Sequence, residues 1–124
     1  MNVALLNSTY NCLKQSLSGL TSNIYFDHIP DQKLLAQLCV TYQVRNISNE
    51  NTFDQREANK YYSIELKFTH PQMTNVQNES IYNHKDGLYR NLNCSYISLQ
   101  DEDFFYDPDL KVWTAFYRYE VQAS

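Results

Sequence analysis

Glycine is nearly missing from this chain, with Gly19 and Gly87 the only two in 124 residues. A phosphate-cradling loop or a dinucleotide fingerprint needs several closely spaced glycines so that backbone amides can approach the ligand. Neither can be built here. Cysteine is also scarce: Cys12, Cys39 and Cys94 are odd in number, widely spaced and contain no C-x-x-C. That pattern argues against a disulfide framework and predicts maturation in a reducing compartment. No stretch approaches the ~18 consecutive apolar residues of a membrane span. The segment MNVALLNSTYNCLKQ has neither the basic start nor the apolar run of a signal peptide. The N-x-[ST] triplets at Asn7, Asn46, Asn78 and Asn93 read as chance products of an asparagine-rich chain. Basic clusters are missing too. The ten lysines and arginines are scattered singly, and the net charge is -4, which argues against phosphate-backbone binding.

What is present is a globular pattern for one domain spanning 1–124, with 43% hydrophobic residues and eleven tyrosines. Val3, Leu6, Tyr10, Leu13, Leu17 and Leu20 recur at steps of three and four, which predicts an amphipathic helix capped by Asn2 and stopped by Gly19. IYFDHIP predicts a short extended piece ending at Pro30. Leu38, Val40, Tyr42 and Val44 alternate with polar residues, as do Tyr62, Ile64, Leu66 and Phe68, so two half-buried strands are expected. Between them lies NISNENTFDQREAN, far longer than an ordinary hairpin connection and hence either a partner-binding or a mobile segment. A second helix is expected from Gln72 to Gly87, with Thr74 as N-cap and Gly87 as stop. NLNCSYISLQ predicts a strand with Leu92, Cys94 and Tyr96 on one face. LKVWTAFYRYEVQA predicts a last strand with Trp113, Ala115, Tyr117, Tyr119 and Val121 on one face, and Val112, Phe116, Arg118 and Glu120 on the other. The expected class is α+β: a mainly antiparallel four- to five-stranded sheet with two helices on one face.

The stretch SLQDEDFFYDPDLKVW holds Asp101, Glu102, Asp103, Asp107 and Asp109. Read as an EF-hand loop from Asp101 it fails, because Phe105, Tyr106 and Val112 fall where an oxygen donor, a glycine and a carboxylate are needed. D-P-D is turn chemistry, so the cluster is expected at the solvated tip of the last hairpin. Exposed carboxylates there have no reason to differ in pKa, as an acid–base pair must. His28, His70 and His84 show no metal-ligand spacing, and no serine sits in a nucleophile elbow. No enzymatic activity, cofactor or metal is expected. The last strand is apolar or aromatic on both faces, and tyrosine is favoured at interfaces, so one face points to a protein partner or to self-assembly.

The whole order, from the N-terminal helix through IYFDHIP, LCVTYQV, the long polar loop and YYSIELKF to the ending YDPDLKVWTAFYRYEV, resembles the tail-terminator and tail-completion proteins of long-tailed bacteriophages. These are the small minor-tail or head–tail joining proteins of the neck. The resemblance implies a virion protein, assembled in the host cytoplasm, that forms a homo-oligomeric ring, typically a hexamer. The ring would end tail-tube polymerisation and offer a face to the head–tail connector or stopper, with DNA only passing through its lumen. On that expectation Ser48, Asn51, Phe53, Gln55 and Arg56 of the long loop contact the tail tube protein. Val112, Phe116, Arg118 and Glu120 make subunit contacts. A capsid-side connector or stopper ring, or a cytosolic ligand- or metal-binding α+β module, are the competing expectations. Deleting Asn51 to Glu57 is expected to leave folding intact, measured by circular dichroism, and to abolish tail joining, measured by infectious-particle yield.

Overall fold

The fold is given by a computed structural model that describes residues 3–18, 21–47, 61–72 and 81–122. Along these run α1 (Val3–Ser16), β1 (Ile24–Phe26), a 3-10 helix (Gln32–Ala36), β2 (Cys39–Asn46), β3 (Tyr61–His70), α2 (His84–Asn91), β4 (Tyr96–Asp107) and β5 (Val112–Gln122). The strands form one sheet in the order β1-β2-β3-β5-β4. Only β1–β2 is parallel; the other three pairings are antiparallel. Both α-helices lie on one face, giving the expected α+β class.

Strict alternation makes this sheet. Val40, Tyr42 and Val44 stand beside Phe68, Leu66 and Ile64, which in turn stand beside Ala115, Tyr117 and Tyr119. All nine are buried, and they form the floor on which the helices pack. Fully burying one such aliphatic or aromatic side chain stabilises the fold by roughly 1.5–3 kcal/mol. A one-residue slip would turn every one of them into solvent, so the register is strongly specified.

Helix α1 presents Leu5, Thr9, Cys12 and Leu13 to this floor, with Leu17 following just past its end. The stripe expected from Val3, Leu6 and Tyr10 is therefore rotated. Val3 is 62% exposed, and Leu6 and Tyr10 sit half-buried at the margin. The small Thr9 and Cys12 let the helix approach the sheet, and the Thr9 hydroxyl donates to the Leu5 carbonyl, so burial leaves it satisfied. Asn2, Gly19 and Leu20 lie outside the described residues.

The short piece near Pro30 forms a strand only over Ile24–Phe26. At Asp27 the backbone turns left-handed (φ 71°) and the chain leaves the sheet, with the Asp27 amide donating to the Tyr42 carbonyl. A parallel return needs a crossover. Here the 3-10 helix supplies it, started by the Asp31 carboxylate accepting from the Lys33 amide. This crossover lies on the sheet face opposite α1, where Cys39 donates its thiol to the Leu34 carbonyl.

Two expectations are corrected by the second half. Gly87 does not stop a helix; α2 runs through it to Asn91, and the proposed start at Thr74 lies outside the described residues. Glycine serves a close approach there, since a β-carbon would meet the Ser16 hydroxyl oxygen at 2.1 Å unless that hydroxyl turned away. Likewise no strand starts at Asn91. β4 begins at Tyr96, and Ile97 and Leu99, opposite Val121 and Tyr119, face the helices in place of Cys94 and Tyr96. Leu92 and Cys94 pack on the core from the connection, whose Asn93 amide donates to Ser8 of α1.

The α1–α2 contact makes a test. Alanine is the tolerated limit at position 87, because the exposed Ser16 hydroxyl can rotate away. Gly87→Val is expected to cost about 1–3 kcal/mol through overpacking, read as a lower urea midpoint with unchanged slope.

Candidate protein interface

The acidic stretch is not the hairpin tip. Asp101, Glu102 and Asp103 lie within β4, Asp107 is its last residue, and only Asp109 lies in the turn itself. There the Asp107 carboxylate accepts from the amides of Asp109 and Leu110, an Asx turn, and Lys111 takes the left-handed backbone (φ 57°). The turn chemistry of D-P-D is as expected; the extent of the strand before it is not.

Within β4 the ladder carries a bulge. Leu99 pairs with Tyr119 but Asp101 pairs with Arg118, so Gln100 is an extra residue. From there on the alternation is inverted. Glu102, Phe104 and Tyr106 stand on the helix face, opposite Tyr117, Ala115 and Trp113, while Asp101, Asp103 and Phe105 stand on the other. The three consecutive carboxylates are thereby divided between two faces. They do not converge on a cation, and among the described residues no group of three or more histidines, cysteines and carboxylates could hold a metal.

Each of the three has its own task. Glu102 reaches the Lys85 ammonium of α2 at 3.3 Å, and Lys85 also lies 3.8 Å over the Tyr82 ring. This ties α2 to the outer strand. Asp101 accepts from the Glu102 amide at 2.9 Å, and Asp103 accepts from the Phe104 amide at 2.8 Å. The Tyr89 hydroxyl accepts from the Leu99 amide. β4 is the edge of the sheet, so these amides point outward, where an incoming strand would otherwise bind them.

Beyond the capped portion the edge is aromatic. Phe104 stacks on Trp113 with ring centroids 5.3 Å apart, and Tyr106 meets the same indole edge-on at 5.1 Å. Phe104, Phe105, Tyr106, Leu110 and Trp113 are each exposed by more than a third. Phe104, Tyr106 and Trp113 share one face and touch one another, and an uncovered aromatic cluster of this kind marks a protein contact.

The residues picked from sequence for partner contact fall differently. Ser48, Asn51, Phe53, Gln55 and Arg56 lie outside the described residues. Val112 is buried, so it offers no surface; Phe116 and Glu120 are half-buried and Arg118 is exposed. The open face is partly covered by the chain itself: Cys39, Thr69 and Thr114 form one buried row across it. Two shallow depressions of about 240 and 290 Å³ lie on this face, sharing Asp27, Thr41 and Lys67. Acid, base and amide side chains mix there without converging. Phe104, Tyr106 and Trp113 were missed as a site, and only an anticipated bulge would have put them on one face.

On the helix face a histidine is fully buried. His84 donates from Nδ1 to the Ile81 carbonyl, which can only accept, so its Nε2 is unprotonated and accepts from the Tyr119 hydroxyl at 2.9 Å. Phe68 and Tyr117 enclose the ring. Burial drives the His84 pKa down to about 4, and Lys85 adds to this. Burial likewise raises the phenols, Tyr117 to about 12 and Tyr119 further. The thiols of Cys12, Cys39 and Cys94 are raised by burial too, which leaves none activated as a nucleophile. His84 is thus a core hydrogen-bonding residue that locks α2 to β5.

That lock is testable. A histidine with a folded pKa below its ordinary value is held neutral by the fold, while the unfolded chain takes the proton first. Its contribution is complete above about pH 6.5 and is lost as pH falls towards 4. The full swing is about 3 kcal/mol, and His84→Gln is expected to remove that part of the stability–pH profile in urea titrations. Tyr119→Phe leaves Nε2 buried without a donor and is expected to cost about 1–3 kcal/mol.

No helix among the described residues is long and apolar enough to cross a membrane. Compared with models of known protein families and with characterised proteins, the sequence matches none.

Proposed function

We propose that this protein is a structural subunit of a phage virion, forming a ring at the head-proximal end of the tail. There it ends tail-tube growth and joins tail to head. The observation that carries the reading is the uncovered aromatic surface of the β4–β5 hairpin, Phe104, Tyr106 and Trp113, set on the edge of the sheet. Such a surface suits a building block that is completed by neighbours. The element order adds the resemblance to tail-terminator proteins.

In this reading Phe116, Arg118 and Glu120 on the open face of β5 make the subunit contacts. Arg118 and Glu120 bring opposite charges, which suit complementary pairing across a contact between subunits. The segment Ser48 to Ala58 meets the tail tube protein, and the hairpin edge is left for the adjoining neck component. The acidic balance of the chain suits a lumen through which DNA passes without adhering.

Light-scattering mass after size exclusion, with negative-stain microscopy of the same sample, tests this. Rings with a central hole are expected. A monomer that persists up to millimolar concentration would overturn the ring.

A further inference from the structure

We infer that the outer edge of β4 is a docking site for an extended protein segment that alternates cationic and apolar residues. This rests on the reading of the β4–β5 hairpin as an assembly surface, and it names the chemistry of the partner. β4 is the last strand of the sheet and runs for 12 residues, well above the short edges that proteins use to avoid strand addition. Residues whose side chains stand on the helix face direct their amides outward, as Leu99, Glu102 and Phe104 do. By the same period the Tyr106 amide points outward.

The caps are exchangeable. Asp101 and Asp103 each hold the amide of the next residue with an exposed carboxylate. An incoming strand can take over those amides with its own carbonyls, which frees the two carboxylates on the open face. Across the ladder Asp101 stands opposite Arg118, but Asp103 stands opposite Phe116, so its charge has no cation directly opposite it on β5. A lysine or arginine on the open face of the added strand supplies one. On the other face the same strand lies beside Phe104 and Tyr106, backed by Trp113, and there an aliphatic or aromatic side chain is required. Strand addition gives affinity through the backbone, and alternate side chains give specificity.

Charge argues against a second copy as the occupant. Pairing β4 with β4 of another molecule would set Asp101 and Asp103 beside the same residues, and directly opposed like charges are destabilising. The chain is also net negative, at -4, which favours a basic partner.

The test titrates the full chain with the peptide Ac-GKVKIKVG-NH2 and, in parallel, with Ac-GEVEIEVG-NH2, following amide shifts by NMR. Binding of the cationic peptide is expected, with the largest shifts at Asp101 to Tyr106, and the acidic peptide is expected not to bind. Asp101→Asn with Asp103→Asn keeps an oxygen for each amide and should not disturb folding, which circular dichroism checks. The double variant is expected to weaken the cationic peptide about fivefold at low salt. Methylating alternate peptide nitrogens so that the backbone cannot pair is expected to abolish binding. Equal binding of both peptides, unchanged affinity in the double variant, or binding that survives methylation would overturn the proposal, as would no binding at millimolar peptide. Mass measured on the same samples keeps the two readings apart. Rings that ignore the peptide sink only the docking site, whereas a monomer that binds it sinks only the ring.

Discussion

The ten-residue ladder between β3 and β5 is the contact to which everything else is referred, because both strands are flanked on each side and neither is an edge. Its row Phe68, Leu66, Ile64 against Ala115, Tyr117, Tyr119 sets the positions that the helices cover. Tyr119 then places its hydroxyl where α2 must bring His84, and Tyr117 supplies the ring wall beside Lys85. α2 in turn passes Gly87 against Ser16, which fixes α1. The core is therefore one chain of dependence, from sheet register to helix placement. A buried neutral histidine can belong to it because both ring nitrogens are satisfied.

The extra residue at Gln100 decides what the outer strand does. Were Gln100 instead a regular member of the alternation, Asp101 and Asp103 would stand on the helix face, and Glu102 would stand on the open face, away from Lys85. With the bulge, the one carboxylate that has a cation to meet turns towards the helix, and the other two turn out beside amides they can cap. A surface ion pair of this kind contributes about 0–1 kcal/mol, so Lys85–Glu102 orients α2 and β4 more than it stabilises them. The caps act on specificity in the same way. They raise the threshold for strand addition, while the stacked aromatics beside them lower it.

Where burial is one-sided the fold was legible in the sequence. Val40, Tyr42 and Val44, Ile64, Leu66 and Phe68, and Tyr117, Tyr119 and Val121 announce their strands because one face meets a core and the other does not. Three features were hidden for physical reasons. Small residues carry the contact face of α1, so Thr9 and Cys12 were outweighed by the larger Leu6 and Tyr10 at its margin. Gly87 reads as a stop, but it serves a close helix crossing that depends on Ser16, seventy-one positions away. The bulge at Gln100 has no glycine to mark it, so the alternation of the acidic stretch could not be assigned to faces, and the stretch passed for a turn. Val112 shows why surface is hard to read from alternation, since partner contact depends on what remains uncovered. Val112 alternates correctly, yet it is buried.

An acidic, aromatic edge resolves two opposed demands. An uncharged long edge of this composition would pair with copies of itself, since stacked aromatics and open amides favour addition. Carboxylates at Asp101 and Asp103 set like charges face to face in any such pairing, and they also occupy the amides in the meantime. Both effects vanish for a partner that brings cations, because its charges convert the repulsion into attraction and its carbonyls replace the caps. The same two residues thus refuse the copy and admit the basic strand, which is how a difference of affinities is built from one repulsive element. Mutating them to asparagine separates these roles, since the cap is retained and the charge is not.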